Sequence, residues 1–333
     1  MPKSGKLDFT KGWIIFDTMQ APLPDSTASA RPRPLIRMKD IAWLVYLYPA
    51  RWLARVLPLR SLYALGDASA VCGAACLRGP RKALLERLAL AFNADTTDPG
   101  LRAIADRYFR NAILRFLDDL LIERRLLELH PRNVEIVHLE NLTEALSAGR
   151  GAVLVSGHFF ASRLAKRYLA TIGFPSLSVR NYEPPDENAG RLGIRLLQER
   201  YVALIGEVQG EEVSIQDRDC SLKMLARLRS GGLIDCHVDA PYSQEVVKRG
   251  FLGREKTFPA GFLHVAKLAG CPLVPLHCLG NSRRLRIEFG KALWLENAPD
   301  RRTFAETNLT PVLRVLEEQI KSHPAEYDLW IRW

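Results

Sequence analysis

Three short segments of the chain carry residue types suited to acid–base or anion chemistry. The first is Ser156-Gly157-His158-Phe159, which follows the apolar run GAVLV at 151–155 and precedes a helical pattern. An imidazole takes and returns a proton near neutral pH, so His158 is a candidate general base for activating a hydroxyl. Gly157 allows the backbone to turn closely at that point. Capping the next helix or filling the turn is the plain structural alternative for a single histidine. The second segment is LIDCHVDAPY at 233–242, an apolar run that acquires Asp235, His237 and Asp239 toward its end. A carboxylate just past a strand orients an imidazole or accepts a proton; an aspartate before Ala-Pro also forms turns. The third is FLGREKTFPAG at 251–261, read as a loop with Gly253, Arg254 and Lys256 that feeds a helix, an arrangement that favours phosphate or another anion. A solvated loop is the alternative. No GLGK-type phosphate loop occurs, which argues against a nucleotide triphosphatase. The aromatic tail EYDLWIRW at 326–333 is expected to pack back on the sheet.

These segments need a scaffold that brings strand ends together. Apolar runs predict strands at 134–138, 151–155, 176–180, 202–205, 232–237, 273–278 and 285–289. Helical spacing lies between them at 142–146, 161–171, 222–229, 261–268 and 304–321. That alternation implies an α/β fold with a mainly parallel central sheet flanked by helices. In such sheets ligands sit at the carboxyl ends of strands, where His158 and Asp239 fall. Upstream, 81–129 reads as two helices, with Asp98 a plausible N-cap for the second. The stretch 38–77 is helical and apolar. The proline-rich residues 1–37 form an arm and linker, 38–130 a helical N-terminal segment, and 131–333 the α/β domain.

Composition narrows the partners. The 333 residues are 47% hydrophobic and 25% charged, which excludes disordered and low-complexity architectures. Lys and Arg outnumber Asp and Glu by 47 to 37, a net charge of +10 that points to acidic partners. The basic residues are spread out with no recognition motif, so nucleic acid is not expected. Six cysteines without a CxxC pair fit neither a zinc site nor a disulfide scaffold, and a reducing cytoplasm suits them; no metal is expected. Cys72 and Cys76 read as helix-packing residues, and Cys236, Cys271 and Cys278 as core thiols. The longest stretch free of Asp, Glu, Lys and Arg is 15 residues, 268–282, too short to span a bilayer. Between Arg31 and Arg60, however, seven basic residues and one acid accompany Trp43, Tyr46, Tyr48 and Trp52. Rings at headgroup depth with cations near lipid phosphate suit a helix lying in the membrane interface; a soluble helix with a solvated arginine face is the alternative.

Taken in order, GRGAVLVSGHF (149–159), SVRNYEP (178–184), LARLRSGGLIDCHVDAPYS (225–243), GFLGREKTFPAGFLHVAKLAGCPLVP (250–275) and IKSHPAEYDLWIRW (320–333) resemble the bacterial lipid A biosynthesis acyltransferases. These form the lauroyl/myristoyl transferase branch of the lysophospholipid acyltransferase superfamily, and the likeness covers about residues 38–333. The resemblance implies a glycerolipid acyltransferase-like fold and transfer of a fatty acyl chain to a lipid or glycolipid acceptor. The donor would be the thioester of an acyl carrier protein or of CoA, a co-substrate, with no bound cofactor. His158 matches the histidine of the family's His-x4-Asp/Glu motif. Gly157, Phe159, Arg163, Arg180, Gly253 and Arg254 fall at positions suited to substrate, with Arg180 and Arg254 placed to meet lipid phosphate or the donor's phosphopantetheine, or else to form ordinary surface salt bridges. The expected location is the cytoplasmic face of the inner membrane, held peripherally, or else the cytoplasm.

The sequence departs from that pattern at one position. Arg163 stands where the family has an acid, and a guanidinium has no acceptor for the imidazole N–H. Three arrangements account for this. Asp239 orients His158 instead; a backbone carbonyl does so, with slower chemistry or an easier acceptor such as an amine; or catalysis is lost and the protein only binds lipid or acyl carrier.

Overall fold

The computed structural model describes residues 34–332, apart from 77, 124–128, 182–188, 208–210 and 241–244. All but the last residues of the expected N-terminal arm lie outside the described residues. The helical part opens with α1 (Met38–Val45), a π-helical turn at Tyr46–Ala50, and α2 (Arg51–Val56). It continues with α3 (Leu59–Cys76), α4 (Arg78–Phe92) and α5 (Pro99–Glu123). Asp98 caps α5, its carboxylate accepting from the N–H of Gly100 at 2.6 Å and of Leu101 at 3.2 Å.

Strands and helices then alternate: β1 (Val134–Val137), α6 (Leu139–Ser147), β2 (Ala152–Ser156), α7 (Ser162–Thr171), β3 (Ser176–Arg180) and α8 (Arg191–Glu207). They continue as β4 (Glu212–Ser214), α9 (Cys220–Arg229), β5 (Leu233–His237), β6 (Val246–Phe251), β7 (Arg254–Pro259), α10 (Gly261–Ala269), β8 (Leu273–Asn281), β9 (Arg284–Phe289) and α11 (Arg301–Ser322). Seven strands form one sheet in the order β1-β9-β8-β2-β5-β3-β4. Every pairing in it is parallel except β8 with β9. The expected mainly parallel α/β sheet with helical flanks is therefore present.

Side chains alternate across this sheet, and both faces are buried. In β2, Val153 and Val155 point to one face, into a core shared with Leu84 and Leu88 of α4, Leu228 of α9 and Phe304 of α11. Ala152 and Leu154 point to the other, toward Leu62 of α3, Leu142 of α6 and Leu164 of α7. The N-terminal helices thus complete the same core as the sheet. Cys236, Cys271 and Cys278 are buried in it.

Two sequence readings are corrected. Residues 202–205, read as a strand, lie within α8. Four apolar residues with β-branching fit either state, and the flanking helical pattern from Arg191 decides it. Residues 254–259, read as part of a loop, form β7, which pairs antiparallel with β6 as a separate hairpin. Its two-residue turn, Leu252-Gly253, has φ of 50° and 82°. Both values are left-handed, the geometry that matches hairpin twist, but Leu in the first position hides the usual Asn-Gly signal. A Cβ on Gly253 would also stand 2.7 Å from the carbonyl oxygen of Leu90.

Candidate active site

β2 and β5 are parallel neighbours, with Ser156 opposite His237 at their carboxyl ends. The chain leaves β2 through Gly157-His158-Phe159 and leaves β5 through Val238-Asp239, so two adjacent exits bring His158 and Asp239 together. Nδ1 of His158 lies 2.5 Å from Oδ1 of Asp239. The other carboxylate oxygen accepts the backbone N–H of His158 at 2.7 Å. One carboxylate therefore fixes both the ring and the main chain of the histidine. The Asp239 side chain is wholly buried, whereas 31% of the His158 side chain is exposed. Burial by itself would raise the Asp239 pKa; the charge of His158 and the hydrogen bonds it supplies outweigh that and hold it at about 2. Gly157 makes the approach possible. A Cβ there would stand 2.7 Å from Leu316 and 3.1 Å from Asp239 Oδ2.

The loop is also held from the C-terminus. The carbonyl of His158 accepts the N–H of Asp328 at 2.7 Å, and the carbonyl of Glu326 accepts the N–H of Phe160 at 3.0 Å. Phe159 and Tyr327 form an antiparallel bridge between these backbone bonds. Tyr327 and Trp330 are fully buried, so this part of the aromatic tail does pack back on the sheet. Trp333 lies outside the described residues. Phe159 is itself buried, its ring 4.7 Å from that of His277 and 5.8 Å from that of Tyr327.

The candidate arginines divide. Arg163, in the first turn of α7, pairs with Asp119 of α5 at 2.8 Å. The same carboxylate oxygen receives Arg200 of α8 at 2.7 Å and lies 3.5 Å from Arg115. Arg200 in turn lies over the rings of Trp43, Tyr46 and Phe116 at 5.0 to 5.6 Å. Arg163 is thus part of a joint between α5, α7 and α8. Arg180, at the end of β3, pairs with Glu212 of β4 at 2.5 Å. Arg254 and Lys256 are i and i+2 on β7 and so share a face. Lys256 is lowered to about 7, chiefly by burial, with Arg254 and Arg87 adding to the shift and Asp239 opposing it.

The sequence placed His237 near the site without giving it a part in it. Its ring centroid lies 4.3 Å from that of His158, the planes inclined at 52°. Its position at the carboxyl end of β5, level with Ser156, was the available signal. Among the described residues, no group of three His, Cys, Asp or Glu is placed to hold a metal ion.

The strand ends thus bring together a buried carboxylate and a histidine with an accessible ring, and a separate hairpin carries two basic residues. The chain belongs to the bacterial lipid A biosynthesis acyltransferase family, whose model matches residues 34–333. Membership sets it among lipid acyltransferases. No curated protein matches the chain. Among solved structures it is similar to the 1-acyl-sn-glycerophosphate (LPA) acyltransferase PlsC from Thermotoga maritima. The identity is 11%, over 85% of this chain and 97% of that chain, with a TM-score of 0.35.

Proposed function

We propose that the protein moves a fatty acyl chain from the thioester of an acyl carrier protein or CoA to a hydroxyl or amine of a lipid or glycolipid, with His158 as general base. The observation that carries this reading is the contact between His158 Nδ1 and Asp239. With Nδ1–H donated to the carboxylate, Nε2 is the nitrogen that takes the acceptor's proton. The acceptor oxygen or nitrogen attacks the thioester carbonyl as its proton passes to Nε2. The C–S bond then breaks, and the thiolate recovers that proton from the imidazolium. Asp239, ionised above a pH of about 2, stabilises the imidazolium in between.

Arg254, Lys256 and Arg180 are the residues proposed to meet phosphate groups of the donor arm or of the acceptor. A site that disfavours its own cations, as the lowered Lys256 indicates, gains from an anion. Attachment to an anionic membrane surface is proposed through residues 38–60. Ile41, Leu44, Tyr48, Trp52 and Val56 are exposed there at spacings of three and four, with Arg55 and Arg60 also exposed. Among the described residues no helix is long and apolar enough to cross a membrane.

The test compares wild type with His158→Ala on an acyl thioester and a lipid acceptor, following thiol release. The expected result is a rate loss of about 10³-fold or more. Equal, measurable turnover would overturn the base assignment, and no turnover in wild type would leave a protein that binds lipid or acyl carrier without catalysis.

A further inference from the structure

His237 is the second imidazole at this strand edge, and the reaction scheme gives it no task. Its environment is unusual on both sides. On one side its ring centroid lies 4.3 Å from that of His158. Toward the sheet interior it lines a cavity of about 10 Å³ with Ser156 of β2, Ser162 and Lys166 of α7, Asp235 of its own strand and Cys278 of β8. Lys166 is buried there and donates to the hydroxyl of Ser178, which lies 3.4 Å from Asp235. The charged groups around His237 are therefore Lys166 and Arg180, against protonation, and Asp235 and Asp239, in its favour; His158 faces it directly. A second imidazolium against His158 at this distance would oppose the charge that the base acquires in each turnover. Desolvation first, then the charge of His158, lowers His237 to about 4, so its ring is neutral near pH 7.

We propose that His237 is a positioning residue for the base: its ring is the inner wall that holds His158 in line with Asp239. Asp239 pins one edge of the His158 ring through Nδ1, and the tilt of the ring about that contact is set by what stands against it. A flat neutral ring against the imidazole fixes that tilt. Being neutral, it also adds no charge to compete with the imidazolium formed in the reaction. The backbone pairing of β5 with β2 fixes where this wall stands, because His237 is in register with Ser156, two residues before the base.

The inference rests on His158 being the base, and the experiment separates the two claims. His237→Gln keeps similar volume without a ring, and His237→Phe keeps a ring that is neutral at every pH. Both are compared with wild type and His158→Ala for kcat, KM and the pH profile of kcat/KM. The His158 ring is followed in the same variants by NMR titration of histidine-labelled protein. His237→Gln is expected to lower kcat about 10- to 100-fold with KM within about twofold, the loss that a misplaced catalytic group produces. Its acid limb and its His158 titration should move together. His237→Phe is expected to keep the wild-type acid limb and a kcat within about threefold of wild type, because the wall is restored. A wild-type kcat and acid limb in His237→Gln overturns the proposal, as does a His237→Phe enzyme as slow as His237→Gln. An unchanged His158 titration in His237→Gln also overturns it, whatever the turnover. Wild-type turnover in His158→Ala instead removes the base assignment, while the NMR titration still reads the contact between the two rings.

Discussion

Asp239 sits where an amide would fit by shape but not by chemistry. Both of its oxygens accept hydrogen bonds from His158, one from the ring and one from the main chain. Asp239→Asn preserves the volume, yet an amide N–H facing Nδ1 forces the other tautomer and places the proton on Nε2. A kcat loss of about 10³-fold is expected with KM little changed, measured by thioester turnover; an unchanged rate would remove Asp239 from the mechanism. Because its pKa is held at about 2 against an ordinary 3.8, Asp239 stays ionised across the neutral range, and its stabilising contribution is lost only as pH falls from about 4 toward 2. Loss of activity between pH 5 and 7 would therefore not come from this carboxylate. His277 gives the opposite kind of pH effect. It is buried, its Nε2 has no hydrogen-bond partner among the described residues, and burial first, then the charges of His323 and Arg286, lower it from 6.5 to about 3. Between those values the unfolded chain binds a proton that the fold refuses, so stability drops as pH falls through that window. His277→Leu removes the penalty. Its thermal stability relative to wild type should rise from pH 7.5 to pH 5, and a constant difference would show that His277 does not titrate in this way.

At the scale of elements, the sequence made the strand exits legible and left the joints between helices hidden. His158 and Asp239 each follow an apolar run that reads as a strand, and parallel pairing of β2 with β5 brings their side chains into contact. The hairpin β6–β7 has no clear signal because Leu252 occupies a left-handed position that favours Asn, and residues 202–205 of α8 mimic a strand because a short apolar run stands inside a longer helical pattern. Arg163 shows the limit most clearly. Read along the chain, it is a base in an acid's position; in space, its guanidinium faces Asp119 from a helix more than forty residues away. Pairings of that separation leave no periodic signal. The Asp119 carboxylate is buried, which would raise its pKa, and Arg163, Arg115 and Arg200 together lower it. Arg163→Glu recreates the family's acid in sequence but sets a carboxylate against Asp119. The variant is expected to lose about 3–5 kcal/mol in chemical denaturation, the range for breaking a buried ion pair, and to gain no activity. A stable, faster Arg163→Glu enzyme would show that the acid's place is still open at that position.

At the scale of the molecule, the surplus charge of +10 and the exposed apolar residues of α1 and α2 belong to one question, how the protein meets its acceptor. Trp52 is 63% exposed and Tyr48 57%, a poor arrangement in water and a good one at headgroup depth. The same helices are tied to the side of the fold that carries the candidate site. Trp43 and Tyr46 pack on Arg200, Arg200 shares Asp119 with Arg163, and Arg163 opens the helix that follows His158. Arg55 and Arg60 are exposed beside the aromatic stripe, whereas Arg51 is half-buried, so the first two are the residues to change. Each basic residue near an anionic surface contributes about 1 kcal/mol, so Arg55→Gln with Arg60→Gln should weaken partition onto phosphatidylserine-containing vesicles about 30-fold at low salt. The difference should shrink as ionic strength rises, because exposed charges are screened within about 10 Å at 0.1 M salt. Trp52→Ser should weaken partition at every salt concentration, since the ring contributes by burial. Thioester turnover on a water-soluble acceptor should be unchanged in all these variants, because all three side chains are exposed and none has a part in the proposed acid–base step. Wild-type vesicle binding in the double variant would move the membrane-facing surface elsewhere on the molecule.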